Sequence, residues 1–369
     1  MALEDLGSKL AGVTRRRHTG HNGRNGKSSQ SAGRAEARPY DRPRSRHFPL
    51  ESPRSPLIPA SPVRTESTPA VRPLLKWAGG KRQLLPALRR FYPPEFGRYF
   101  EPFLGSGAVF FDLFRSGRLS GHRVILTDSN RDLIGCYETV RDAPDEVIRH
   151  LEQLAADRPS NPQSHFYETR TRFNQLRASL PDGAHDGYTP ALAAMLIYLN
   201  RTAFNGLFRL NSDGEFNVPA GRYSRPRISD PALIHAVSRA LADPLVSLSL
   251  RRFETVVQRA RAGDLLYFDP PYAPLSDTAR FTGYTGRTFT LDDHARLRDV
   301  AVTLAARGCH VMVSNSSAPA IRALYEDDPR VAASGLRVHR LPARRAINSR
   351  ADARGPVMEF LLTNLSPGP

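Results

Sequence analysis

The stretch FEPFLGSGAVFFDLF (residues 100–114) reads in order as a strand, a turn built on Gly105 and Gly107, and an amphipathic helix. A lone Gly-x-Gly turn is weak evidence, because an ordinary strand-to-helix turn can carry it. Its meaning depends on the next strand. Asp128 lies 21 residues after Gly107, at the end of RVILTD (residues 123–128), the next short apolar run. A carboxylate at that place can accept hydrogen bonds from two ribose hydroxyls. The turn and the carboxylate together imply a nucleoside cofactor, against the plainer reading of Asp128 as a helix cap.

Three further runs, RYFEPF (residues 98–103), DLLYFDP (residues 264–270) and HVMVSN (residues 310–315), are also short and apolar. Each ends among Gly, Pro, Asp, Asn or Ser, the signature of buried parallel strands. LDDHARLRDVAVTLAARG (residues 291–308) reads as a helix. Its start, TLDD (residues 290–293), resembles a capping box with Asp in place of Glu. The alternation predicts an open α/β sheet with ligands beyond the strand carboxyl ends. GLRVHRLP (residues 335–342) and PVMEFLLTN (residues 356–364) read as a hairpin at the sheet edge. The mixed pattern between Asp128 and Asp264 predicts an inserted second lobe, placed at 137–244, with residues 73–136 and 245–366 supplying the two parts of the sheet domain.

Composition limits what the chain can be. It has 369 residues, 40% of them hydrophobic, which is ample for a core. Its two cysteines, Cys136 and Cys309, lack C-x-x-C spacing. Neither a disulfide framework nor a cysteine zinc site is expected, and a reducing cytoplasm fits. The longest apolar run, ALAAMLIYL (residues 191–199), is far shorter than the roughly 18 residues a membrane span needs, and no N-terminal signal is seen. The net charge of +17 points to a polyanionic partner, nucleic acid before an anionic membrane. Residues 1–72 hold +8 of that charge and are rich in Ser, Pro, Gly and Arg without apolar periodicity. They read as a disordered basic tail; an over-long reading frame is the alternative.

Lysine is scarce in this chain. LLKWAGGKRQLL (residues 74–85) holds two of only four lysines, Lys76 and Lys81, in a chain with 53 Lys and Arg together. A compact charge on a thin stem, kept against an arginine bias, suggests a crowded site. Trp77, the only tryptophan, stands beside Gly79 and Gly80 and offers a flat face where the backbone can approach closely. A small, flat, charged molecule fits that description.

The most chemically specific stretch is YFDPPYAPLS (residues 267–276). Two prolines after a strand end make a stiff support for Asp269 and Tyr272. Asp269 and the Pro270 carbonyl can accept the two hydrogens of an exocyclic amine while Tyr272 stacks on its base. Such bonds draw the nitrogen toward tetrahedral geometry and free its lone pair for in-line attack on a sulfonium methyl. No strong base is required, because the amine becomes acidic as positive charge develops on it.

On these residues the chain resembles the Dam-type (D12 class) DNA adenine N6-methyltransferases over about residues 73–364. KWAGGK (residues 76–81) is similar to the family's N-terminal cofactor motif, EPFLGSG (residues 101–107) to its glycine motif and DPPY (residues 269–272) to its catalytic motif. The resemblance implies a Rossmann-like, S-adenosylmethionine-dependent methyltransferase sheet with an inserted, mainly helical target-recognition lobe. It also implies S-adenosylmethionine contact by Trp77, Lys81, Glu101, Phe103, Gly105, Gly107, Asp128 and Asp269, and catalysis by Asp269, Pro270 and Tyr272. The family pattern itself requires lysine at 76 and 81. A monomeric enzyme acting on duplex DNA without a metal is expected.

YLNRTAFNGLFRLNSDGEFNVPAGRY (residues 198–223) resembles the family's DNA-recognition segment. Bidentate Arg reads guanine, bidentate Asn reads adenine, and an inserted apolar side chain fills the gap left by a flipped base. Asn205 and Arg209 are assigned to base reading, Phe204 and Leu207 to wedging, and Arg222 and Tyr223 to recognition or phosphate contact, with Lys76 also placed at the DNA. Phe204 stands where the family often has tyrosine. The resemblance makes GATC the expected target. Three other readings compete. A restriction nuclease needs a metal-binding carboxylate cluster, yet the sequence has no Glu-x-Lys or Asp-x-Lys; a non-catalytic DNA-binding module has no use for an amine clamp. Methylation of cytosine N4 or of RNA is the sharper rival, and Asp269 in place of the Ser more common in cytosine N4 enzymes favours adenine.

Overall fold

The computed structural model describes residues 70–77, 79–158, 161–181, 185–273, 289–344 and 356–368. The expected tail lies outside the described residues except at its end. There Val71 is buried in the core and Arg72 donates to Asp230 at 2.9 Å, so these two residues belong to the folded unit.

Seven strands form one sheet in the order β3-β2-β1-β4-β5-β7-β6. They are β1 (Tyr99–Glu101), β2 (Val124–Asp128), β3 (Val246–Leu250), β4 (Leu265–Phe268), β5 (His310–Ser316), β6 (Arg337–Arg344) and β7 (Pro356–Thr363). Strand β7 runs antiparallel to both of its neighbours, and the other pairs are parallel. The expected strands and the terminal hairpin are all present. Side chains alternate between two apolar layers with the period of two that a strand imposes. Tyr99, Leu126, Leu265 and Tyr267 join one layer; Phe100, Ile125, Leu266 and Phe268 join the other.

The first layer is covered by the short helix α1 (Leu85–Leu88), α2 (Ala108–Arg115), α3 (Arg131–Asp142), α4 (Pro144–Asp157), α5 (Pro162–Ala178), α6 (Pro190–Thr202) and α7 (Pro231–Leu241). The second is covered by α8 (Leu291–Ala306), α9 (Pro319–Glu326) and α10 (Pro329–Ala333). Helix α8 begins with the expected capping box: Thr290 Oγ1 accepts from Asp293 N, and Asp293 accepts from Thr290 N. No helix among the described residues is long and apolar enough to cross a membrane.

The insertion is mainly helical, but it differs from a free-standing lobe. Helix α3 runs unbroken through the expected boundary at 136/137 and packs on β2 and β3, while α7 packs on α3 and β3. These helices bury their apolar faces in the same cluster as the sheet, so the insertion has no separate core. Strand β3 itself was not anticipated. Its sequence VSLSL places serine at alternate positions on a half-exposed sheet edge, which leaves no continuous apolar run to see.

The sheet reverses its winding between β1 and β4. Chain connections lead from β1 to β2 on one side and from β4 to β5 on the other, so a crevice opens beyond the carboxyl ends of β1 and β4.

Candidate active site

A cavity of about 860 Å³ occupies that crevice. Three carboxylates enter it from three strand ends: Glu101 from β1, Asp128 from β2 and Asp269 from just beyond β4. Burial pushes Asp128 up to about 6, although its oxygens accept from Gly105 N at 3.0 Å and Asn130 N at 2.9 Å. Burial pushes the Glu101 carboxyl up to about 8, against the Tyr99 hydroxyl at 2.7 Å and Phe110 N at 3.0 Å, both donating to Oε2. Asp269 also rises to about 6 through burial, restrained by Lys81. Burial thus raises all three carboxyls at the strand ends, and among the described residues only Asp269 of the three is paired with a cation.

The cavity walls are flat and aromatic. Trp77 lies against the glycine turn, where Gly105 has φ +48° and a Cβ would come within 3.0 Å of the indole. Glycine is required there for both reasons. Opposite, Phe103 stacks on Phe253 with ring centres 5.2 Å apart and meets the edge of Phe289 at 5.7 Å. Gly107, at φ +66°, precedes α2 and packs under Phe111.

Lys81 is 2% exposed and meets the DPPY stretch (residues 269–272). Its Nζ lies 2.7 Å from Asp269 Oδ1, donates to the Gly79 carbonyl, and sits 4.4 Å from the centre of the Tyr272 ring. The resemblance implied a cofactor contact for Lys81; the structure puts its ammonium on Asp269 and Tyr272 at the cavity wall. Pro270 lines the same cavity. The Tyr272 hydroxyl donates to Glu359 Oε2 at 2.6 Å.

The expected recognition segment is a short, irregular hairpin after α6. Ala203 bridges Ala220, Leu210 bridges Phe216, and Phe204 N donates to the Pro219 carbonyl at 2.9 Å. Phe208, Phe216 and Val218 anchor it in the core. The residues just before them are turned outward: Phe204 is 51% exposed and Asn205 is exposed, with φ +54°. Leu207 is half-buried, and Arg209 donates from Nε to Asn217 Oδ1 at 2.7 Å. Arg222 is exposed, while Tyr223 lies under the Lys76 ammonium, 4.7 Å from its ring centre.

Two links join this segment to the cavity. Asn200 accepts from Lys76 N at 2.8 Å and donates to the carbonyls of Lys76 and Gly206 at 2.7 and 3.0 Å. Trp77 stacks on Phe208 at 5.5 Å. Of the expected residues, Trp77, Lys81, Glu101, Phe103, Gly105, Asp128, Asp269, Pro270 and Tyr272 line the cavity, whereas Gly107 and the residues of the recognition segment lie outside its lining.

Residues 77–346 match the sequence profile of the D12 class N6 adenine-specific DNA methyltransferases. The chain belongs to this family. The Type II methyltransferase M1.LlaDCHI of Lactococcus lactis subsp. cremoris is 38% identical over 295 residues, covering 80% of this chain and 95% of that protein. The Type II methyltransferase M.MjaIII of Methanocaldococcus jannaschii is 36% identical over 306 residues, covering 80% and 99%. The DNA adenine methylase of Escherichia coli (strain K12) is 35% identical over 290 residues, covering 79% and 94%.

The candidate site of this D12 methyltransferase also contains or is braced by residues that its sequence did not single out. Phe253 follows the unrecognised strand β3, so its strand-end position was hidden with that strand. Phe289 stands just before the Thr290 cap of α8, where the aromatic gave no signal of its own. Asn200 looked like part of the recognition segment but serves as its bracket. Glu359 is a lone carboxylate in the apolar strand β7.

Proposed function

We propose that this D12 methyltransferase binds S-adenosylmethionine in the cavity and directs its methyl group to the N6 amine of an adenine flipped out of GATC in duplex DNA. The observation that carries this reading is Asp269, half-buried just beyond β4, tied to Lys81 at 2.7 Å and followed by two prolines and Tyr272. The cavity suits the cofactor. Aromatic walls and a glycine turn accept an adenosyl group, and the carboxylates at the strand ends offer partners for its ribose and for a positive charge. Asp128 is placed to take the ribose hydroxyls, and Glu101 to face the positive end of the molecule.

S-adenosylmethionine supplies an electrophilic methyl on sulfur. The protein supplies geometry and charge. Asp269 and the Pro270 carbonyl accept the two N6 hydrogens, so the nitrogen lone pair turns out of conjugation with the ring. Tyr272 stacks on the base and fixes its plane. Bond formation at N6 would be balanced by cleavage of the methyl–sulfur bond, whose electron pair would stay with sulfur, and the Asp269 carboxylate would stabilise the positive charge growing on N6. The surplus N6 proton passes through Asp269 to water. With Asp269 near 6, the carboxylate form prevails at neutral pH and falls away in acid.

Because a cation favours ionised carboxylates, cofactor binding drives protons off Glu101, Asp128 and Asp269. Affinity therefore rises with pH through the range from about 6 to about 8. Quenching of Trp77 fluorescence by S-adenosylmethionine should show a Kd lower by about tenfold or more at about pH 7.5 than at about pH 5.5. A Kd that does not change with pH contradicts this charge arrangement.

The likeness of residues 204–223 to the recognition segment of Dam-type enzymes supports GATC. Exposed Phe204 suits the wedge, and Arg209 and Asn205 suit base reading. Methyl transfer from labelled S-adenosylmethionine to a GATC duplex, compared with duplexes altered one base pair at a time, tests the reading. Methylation of adenine in GATC alone is expected, unaffected by chelator. Arg209→Ala should lower discrimination at one base pair by roughly 1 to 3 kcal/mol. Unchanged discrimination removes Arg209 from the readout, and equal transfer to all the duplexes overturns GATC.

A further inference from the structure

Glu359 sits on the reversed strand β7, directly across the ladder from Ser316 of β5. The two side chains hold consecutive residues of the catalytic loop. Glu359 Oε2 accepts from the Tyr272 hydroxyl at 2.6 Å, and the Ser316 hydroxyl donates to the Ala273 carbonyl at 3.0 Å. The Tyr272 ring is also held by the Lys81 ammonium at 4.4 Å. Its hydroxyl keeps its proton, because burial pushes the phenol well above its usual range. It is therefore a standing donor, and a carboxylate is a strong acceptor for it.

We propose that Glu359 is a positioning residue for methyl transfer, fixing the plane of the Tyr272 ring on which the target adenine stacks. The inference rests on the reading of Tyr272 as that platform. A ring that pivots about its Cβ leaves the amine misaligned with Asp269 and Pro270, and misplacement of this size is costly to an in-line reaction. Among the described side chains of β7, Glu359 is the one that reaches Tyr272. The terminal hairpin thus takes part in the chemistry through one hydrogen bond.

The test is a double-mutant cycle on the full chain, measured as single-turnover methylation of a GATC duplex under saturating S-adenosylmethionine. The cofactor Kd is followed in parallel through Trp77 fluorescence. Glu359→Ala and Tyr272→Phe should each slow the rate by about tenfold to a hundredfold, as for loss of a charge-assisted hydrogen bond. The Kd should stay within about twofold, which also shows that the variants are folded. The double variant should be no slower than either single one, because both remove the same bond. Glu359→Gln keeps an acceptor without the charge and should recover most of the rate; if it fails as Glu359→Ala does, charge and not positioning is at issue. Losses that multiply in the double variant overturn the inference. Tyr272→Ala separates the two levels of the reading: if it loses the rate while the cycle multiplies, only the role of Glu359 falls, whereas an active Tyr272→Ala overturns the stacking platform and with it this inference.

Discussion

Asp269→Ala is expected to slow methyl transfer by about 10² to 10³-fold, the typical cost of removing one group that stabilises charge developing in a transition state. Asp269 is well suited to such a role. It lies beyond β4 at the crevice where the sheet reverses, on a backbone stiffened by Pro270 and Pro271, with its carboxylate already held by Lys81. Little reorganisation is needed when charge appears on the amine. The loss should be seen in the single-turnover rate at saturating cofactor, since the carboxylate acts mainly on the transition state. Some weakening of S-adenosylmethionine binding should accompany it, because Asp269 also lines the cavity proposed for the cofactor. A variant that loses affinity while its saturated rate is unchanged would assign Asp269 to binding instead.

The second large effect is expected at Lys81. Lys81→Met removes the buried ammonium that restrains the Asp269 pKa, leaving burial unopposed. The carboxyl should then rise above about 6 and be partly protonated at neutral pH. A protonated carboxyl is a poorer acceptor for the amine, so activity near pH 7 should fall by about tenfold or more and recover in part at higher pH. In kcat/KM for the cofactor, which reports free-enzyme groups, the acid limb near 6 should move upward by about two units, within the range a close opposite charge commands.

Stability follows the same sign. Asp269 in the folded protein already titrates above its unfolded range near 3.9. Its neutral form therefore favours folding, and this contribution disappears as pH rises through the folded value. Without Lys81 the cost of ionisation grows, so the deficit in Tm relative to wild type should widen from acid to neutral pH. A loss of rate independent of pH would show that Lys81 acts through something other than the Asp269 charge.

The sheet was legible where a strand was buried on both sides. VILTD, LLYF and HVMVSN are apolar runs closed by a polar or turn residue, and each became a parallel strand. Asp128 and Asp269 were found because a carboxylate closing such a run points into the crevice. The Thr290 cap was legible because its pattern is local. Strand β3 was not, because an edge strand needs no continuous apolar run and its serines look like a loop.

Tertiary pairings were equally hidden. A family motif marks Lys81 as needed, yet only the fold shows that its ammonium meets Asp269 and Tyr272. The Glu359 pairing depends on the register of β7 against β5 and has no trace in the local sequence. Phe253 and Phe289 meet Phe103 from separate parts of the chain, so their common wall appears only once the sheet is assembled.

The central claim, that the Asp269, Lys81 and Tyr272 cluster methylates N6 of adenine in GATC, is tested most directly by long-read modification mapping of DNA from a methylation-free host that expresses the chain. Adenine N6-methylation at GATC sites, absent when the host expresses Asp269→Ala, is the expected result. Methylated adenine in a different sequence, or the same methylation from the Asp269→Ala protein, would contradict it.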